Sequence, residues 1–575
     1  MRKLLMCFRC IVLLGAVALF SVIANAQSEQ FPRVTDSMLQ NPDPADWIHW
    51  RRTLDGWGYS PLKAINKQNA RNLQLAWVWT LNPGPSEPGP IVHNGTMFVQ
   101  NPIDGVVALD AATGELLWEY KRNMPPVTTG LIMMRSMAIY DDKVYLNTHD
   151  AHIVALDART GKVAWDHQVA DHDKLGYGYT SGPIVVKGKI VAGIGGCEKY
   201  KNDVCFISAH DPQTGEELWR ISTVARPGEP GGDTWGDLPL LQRTGSDAWI
   251  PGSFDPATNL IYWSTSQAKP WSQAQRGDLG ARELYTNSTL AINPETGKLV
   301  WYHQFIPGDS YDQDEVFENV LVDHQGRSSL FKMGKLGILW EIDRKTGDFI
   351  AAHDIGYQTL YKLNRATGEL SFLPETQPRL NSEVQYCPSA SGFKDWRSMA
   401  YHPQTRAFYI PLNIHCNVVK FREAQEPKEE GTGGYGDFTS VRAFHPSNPA
   451  GLGEFLAIDV NGEILWRHRT ETPMNSAALT TGGGLAIVGD WDRHLYVHDA
   501  VTGEVLFQTR LGASVQGFPI TYAVRGKQYL AVPTAMIDLG GWSSMTRLLP
   551  QKKRPSGGNA IYVFALPGSS DARLK

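Results

Sequence analysis

The amino-acid sequence predicts an all-β fold of the β-propeller type. Three observations carry this: a strand–turn–strand–Trp phrase recurs, its copies lie a blade's length apart, and Gly and Trp are abundant, at 55 and 18 of 575 residues. The clearest copies are Ala108–Trp118, Ala155–Trp165, Ala209–Trp219 and Ala291–Trp301, each reading Asp/Asn-x-x-Thr-Gly before its Trp. Weaker copies occupy Ile342–Ile350, Ala457–Trp466 and Val497–Phe507. Gly114, Gly161 and Gly215 stand 47 and 54 residues apart, and Gly462 and Gly503 stand 41 apart. Repeats of that period mark propellers.

Each part of the phrase has a physical task. Asp and Thr cap a tight turn, and Gly supplies the positive φ the turn requires. The Trp, at a fixed offset, is placed to dock between neighbouring sheets. Outside the phrase, short alternating runs such as Val106–Leu109 and Lys143–Leu146 read as strands.

Along the chain, Arg2 and Lys3 precede an apolar run from Ile11 to Ile23 and a small-x-small site at Ala24-Asn25-Ala26. This predicts a signal peptide over 1–26, cleaved after Ala26, and hence a periplasmic protein. A membrane anchor is the competing reading, but the run is short for a span. Residues 27–75 read as irregular, with Trp47, Trp50 and Trp57 and one short helix near Asn66–Leu73. Pro227–Gly245, Arg276–Tyr285 and Glu423–Phe438 break the strand rhythm as polar loops, and a basic tail, Arg547–Asn559, precedes a last strand at Ala560–Phe564. Long loops on a rigid scaffold are where sites tend to lie.

A net charge of −5 gives no sign of a nucleic-acid partner. Once Cys7 and Cys10 leave with the signal, four cysteines remain, in two plausible pairs: Cys197 with Cys205, and Cys387 with Cys416. An even number in an exported chain favours disulfides. A four-cysteine zinc site competes, though these four contain no Cys-x-x-Cys element. Nor is there a Cys-x-x-Cys-His run for covalent haem.

Gly231–Gly236, Trp249–Pro256, Ala268–Trp271, Leu284–Leu290 and Tyr311–Glu315, in this order on the repeat, carry a resemblance to a known family. The chain resembles the pyrroloquinoline quinone (PQQ)-dependent alcohol dehydrogenases from about Trp47 to Phe564. The resemblance implies an eight-bladed propeller, as a single domain over 27–575, oxidising a primary or secondary alcohol to an aldehyde or ketone. Gln267–Trp271 and Asp314–Glu318 bring it closest in look to sorbose/sorbosone-type enzymes and others acting on bulky alcohols. It implies Glu198, Gln267 and Asp312 as ligands of a Ca²⁺ ion, with hard oxygen donors suited to that metal. Relatives usually carry Asn where Gln267 stands. Asp312 is also implied as the base that takes the alcohol proton while hydride passes to the cofactor. Glu87, Arg135, Thr180, Lys335 and Asn413 match polar contacts to the cofactor. Trp249 matches the indole on which it rests, and Trp271 a wall of the substrate pocket.

Asp314 raises a second metal. Relatives that use a lanthanide such as La³⁺ or Ce³⁺ carry an added acid two residues after the base, and Asp312-Gln-Asp314 has that spacing; a turn-capping or solvated Asp314 is the plain alternative. Thr129-Gly130 stands where many relatives have a disulfide of adjacent cysteines over the cofactor. Met133 or Met134 could cover that face, or simply pack in the core. A more open roof would suit bulkier alcohols. The missing haem implies a separate cytochrome c or similar electron acceptor. A non-catalytic envelope scaffold shares the Trp repeat and is the alternative function; it has no use for the oxygen donors at Glu198, Gln267 and Asp312.

Overall fold

The computed structural model describes residues 31–123, 133–423, 427–434, 436–535, 545–553 and 555–568. The expected signal peptide over 1–26 and Thr129-Gly130 lie outside these residues. Short connections force each strand back antiparallel to the one before. Among the described residues, eight sheets hold four or five strands. In chain order six of them fall within residues 91–120, 138–168, 184–222, 253–304, 320–354 and 400–470, and a seventh takes 479–510 with Tyr59–Ser60 added in parallel at its edge. The eighth joins Ile520–Val524, Lys527–Thr534 and Ala560–Ala565 to Gln74–Thr80, so an early strand completes the last sheet. The first strand of a sheet is buried, as at Ile91–His93 and Ile184–Val186; the fourth is largely exposed, as at Leu116–Tyr120 and Glu217–Ser222.

The recurring phrase is the staple between consecutive sheets. Asp110 Oδ1 accepts the N–H groups of Ala112 and Thr113, both at 2.9 Å, and Gly114 adopts φ +78°. A Cβ on Gly161 would lie 2.5 Å from the Trp118 ring, and one on Gly215 2.8 Å from Trp165. The same abutment pairs Gly114 with Trp77, Gly297 with Trp219, Gly347 with Trp301 and Gly503 with Trp466. Trp118 Nε1 also donates to Ala158 O (3.0 Å), and Trp219 Nε1 to Pro294 O (2.9 Å). Between the fifth and sixth sheets His353 takes the Trp's place against Gly462. Phe507 meets Phe564 across the last joint, at 6.1 Å between rings, so the series closes on itself.

Antiparallel order also sorts the connections onto two faces. Within a sheet the first-to-second and third-to-fourth turns share one end. The second-to-third turns and the links to the next sheet share the other. The Asp-x-x-Thr-Gly turns all sit at the first end. Pro227–Gly245, Arg276–Tyr285, Glu423–Phe438 and the 547–559 segment all belong to the second. A further three-stranded sheet, Glu383–Tyr386, His415–Arg422 and Asp437–Phe444, also lies in connections of that end.

Disulfides join Cys197 to Cys205 (Cα–Cα 5.7 Å) and Cys387 to Cys416 (4.2 Å). With their sulfurs paired, a four-cysteine zinc site does not exist. The expected helix at Asn66–Leu73 is only a 3₁₀ turn, Ala70–Asn72. Asn69 Oδ1 accepts from Asn66 N (2.8 Å) and Asn66 Oδ1 from Gln68 N (3.0 Å), local bonds that compete with helix. A short helix that the sequence reading missed, Asp36–Gln40, starts at Thr35, whose Oγ1 accepts from Met38 N. No described helix is long and apolar enough to cross a membrane.

Candidate active site

The long-loop end encloses a cavity of about 470 Å³. Glu87, Arg135, Thr180, Glu198, Trp249, Trp271, Asp312, Asp314 and Lys335 all line it. They come from separate connections: Glu198 follows Lys189–Gly193, Lys335 follows Arg327–Met333, and Asp312 and Asp314 lie between Leu299–Gln304 and Val320–His324. Gln267 and Asn413 stand behind the wall. Asn413's amide oxygen accepts from Arg397 Nη1 (3.1 Å) and its nitrogen donates to Met474 O (3.0 Å).

Asp312 is the electrostatic focus. Lys335 Nζ approaches its Oδ2 at 2.9 Å; Gln267 Nε2 (2.7 Å) and Lys269 Nζ (3.2 Å) reach Oδ1. Burial alone would raise its carboxyl, but Lys335 and Lys269 together hold it below the ordinary range. Its loop is pinned from beneath: Asp309 accepts the N–H groups of Tyr311 (3.2 Å) and Gln313 (2.8 Å) and the Tyr361 hydroxyl (3.0 Å). Asp312 itself sits at φ +61°, a left-handed conformation that Asp tolerates better than most residues. Asp314 is engaged at both oxygens, by Gln267 N (3.0 Å) and Lys335 Nζ (2.7 Å). It therefore clamps the loop of Gln267 to the turn of Lys335.

The neighbouring wall is set by packing. Glu87 is fully buried and ion-paired with Arg135; burial pushes its carboxyl up to about 7 against the pull of Arg135. Arg135 lies 4.8 Å from the Trp249 ring centroid and donates to Thr180 O (3.1 Å). Trp249 meets Phe317 edge-on at 5.5 Å. Trp271 stacks on Phe438 at 4.4 Å, and Arg276 fixes it by donating to Trp271 O (2.9 Å) while pairing with Glu283. Met133 lines the cavity and is 2% exposed.

Known proteins share this architecture. The family model for the glucose/ethanol/alcohol dehydrogenase β-propeller domain of PQQ enzymes matches residues 47–355 and 357–530. The chain belongs to the PQQ-dependent alcohol dehydrogenases. It is 33% identical over 562 residues to quinohemoprotein alcohol dehydrogenase ADH IIB of Pseudomonas putida, covering 91% of this chain and 78% of that one. Quinoprotein alcohol dehydrogenase PedH, also of P. putida, is 30% identical over 92% of this chain and 93% of its own. Among solved structures, a europium-containing methanol dehydrogenase superposes with a TM-score of 0.84 at 28% identity, over 92% of this chain and all of that one.

The donor set of this dehydrogenase fits a hard cation. Gln267 Oε1 is a buried carbonyl oxygen with no hydrogen-bond partner, while its amide nitrogen is spent on Asp312. The carboxylates of Glu198, Asp312 and Asp314 line the cavity in front of it, and Asp312 and Asp314 both bond the Gln267 residue. The Cys197–Cys205 disulfide fastens the loop of Glu198, and Cys197 N donates to Asp247 Oδ1 (2.9 Å). Several of the cavity's residues escaped the sequence reading. Lys269, whose Nζ reaches Asp312, and Asp247, Asp395, Trp396, His149 and His172 are among the further lining residues. Burial, reinforced by Glu198, raises the Asp247 carboxyl to about 7. Lys269 lay inside the quoted Ala268–Trp271 motif, and Asp247 two residues before Trp249. Nothing in the spacing distinguished either from a loop residue.

Proposed function

We propose that this enzyme binds PQQ in the long-loop cavity against a cation held by Glu198, Gln267 and Asp312, with Asp312 as the catalytic base. The observation that carries it is the Asp312 carboxylate, held ionised inside the cavity by two ammonium groups and an amide. PQQ, when bound, supplies the two-electron hydride acceptor, and the cation polarises it. The chain's own residues do the rest. Asp312 takes the hydroxyl proton of the alcohol. Lys335, beside it, is placed to stabilise negative charge that develops on an oxygen. Arg135, Thr180 and Glu87 hold the polar edges of the cofactor, with Asn413 bracing the wall from behind through Arg397; Trp249 gives it a flat apolar bed. Trp271 on Phe438 forms a wall for the substrate, which we take to be a bulky or sugar-like primary or secondary alcohol.

Either Ca²⁺ or a lanthanide would satisfy such donors. Recruiting Asp314 as a fourth ligand would require an oxygen now bonded to Lys335 or Gln267 N. Export through residues 1–26, periplasmic residence of one domain over 27–575, and electron transfer to a separate cytochrome c or similar acceptor complete the reading. It is supported by the leader-like start and by a chain without a Cys-x-x-Cys-His run.

The test is dye-linked activity of metal-free protein given PQQ with Ca²⁺ or La³⁺, over alcohols from methanol to sugar-sized and polycyclic. Activity that needs both additions and favours the larger alcohols is expected. A strong preference for methanol would end the bulky-substrate reading, and activity without added PQQ or metal would end the cofactor assignment.

A further inference from the structure

We propose that Lys269 is a built-in cation that sets the metal selectivity of the site, lowering its preference for trivalent over divalent ions. This rests on the reading above that Glu198, Gln267 and Asp312 hold a cation.

The Lys269 side chain is only 8% exposed, and its Nζ stands 3.2 Å from Asp312 Oδ1. Asp312, first, and then Asp314, Glu198 and Asp247 all act on it electrostatically, so its positive charge belongs to the same field as the carboxylates of the proposed site. Its backbone is fixed. Lys269 pairs with Thr244 across two short antiparallel strands, and Thr244 Oγ1 donates to Lys269 O (2.7 Å). Its ring neighbour Trp271, 5.5 Å away, limits where the ammonium can retreat.

A fixed positive charge repels a nearby ion in proportion to that ion's charge. A trivalent ion therefore loses half as much again as a divalent one, whatever the effective dielectric. Lys335 does not offer the same control. It bridges Asp312 and Asp314 at 2.9 and 2.7 Å and ties their loop to its own turn, so removing it changes the donors as well as the charge. Lys269 reaches the Asp312 oxygen that Gln267 also bonds, so a neutral side chain there leaves that oxygen a partner.

The experiment is binding of Tb³⁺ to metal-free protein, read by tryptophan-sensitised luminescence, with Ca²⁺ as competitor and no cofactor or substrate present. Lys269→Gln should tighten both ions and raise the Ca²⁺:Tb³⁺ ratio of Kd values by about tenfold. Lys269→Arg, which keeps the charge, should stay within about threefold of wild type. Lys269→Met repeats the neutral test should the Gln variant fail to fold. A ratio within about threefold of wild type in a folded neutral variant would overturn this inference alone. Wild-type protein that binds neither ion would overturn the metal assignment and this inference with it.

Discussion

Replacing Asp312 by Asn separates base chemistry from shape. Asn keeps one oxygen for Gln267 Nε2 but presents an amide to one of the two ammonium groups. Deleting one partner of a fully buried ion pair costs about 3–5 kcal/mol. Here the Asp312 side chain is 14% exposed and Asp314 still holds Lys335, so about 1–3 kcal/mol is expected. The fold should therefore survive with a lowered melting midpoint. The catalytic loss should be larger, because a positioned base contributes about 10²–10⁴-fold, or roughly 3–5 kcal/mol of barrier at 1.36 kcal/mol per decade. The assay is kcat/KM with dye acceptor at saturating PQQ and metal, beside a fluorescence titration of PQQ uptake. A variant that takes up PQQ yet turns over within about fivefold of wild type would refute Asp312 as the base.

Other outcomes follow from the same geometry. Because Lys335 and Lys269 depress the Asp312 carboxyl, the base should be lost only as pH falls below the ordinary carboxylate range; Lys335→Gln should move that acid limb of kcat/KM upward, and an unmoved limb would detach Lys335 from Asp312. Glu198→Gln removes a carboxylate donor and should weaken metal binding by about tenfold or more in a direct titration, against no change if Glu198 is only a wall residue. Cys197→Ser with Cys205→Ser opens a loop of eight-residue separation, costing about 2.5 kcal/mol by chain entropy, and should weaken metal binding alongside stability. Gly161→Ala forces a side chain at φ +71° against Trp118 and should cost roughly 2–4 kcal/mol, read in denaturant unfolding, with the isolated metal affinity unmoved.

The repeat was legible because it is local: Asp110, Thr113 and Gly114 make their turn from adjacent residues, and Trp118 meets Gly161 one period on. The His353–Gly462 joint was not, because a shape fit between side chains leaves no residue-type signature. Glu198, Asp312 and Lys335 were legible through resemblance, since no periodicity brings three sheets' connections to one cavity. Lys269 and Asp247 were illegible for the same reason: Lys269 stands inside a stretch that carries the resemblance, yet the resemblance gives neither residue a role. The helix reading at Asn66–Leu73 failed where asparagine side chains outcompete the backbone ladder.

The strand Gln74–Thr80 is stitched into a sheet whose other members come from the opposite end of the chain. Seven sheets can stack in the order they are made, but the wheel stays open until Ala560–Ala565 exists to be zipped. Trimming either margin of the chain should therefore cost the whole circle rather than one spoke, and a clip that joined those two strands would stiffen everything between them.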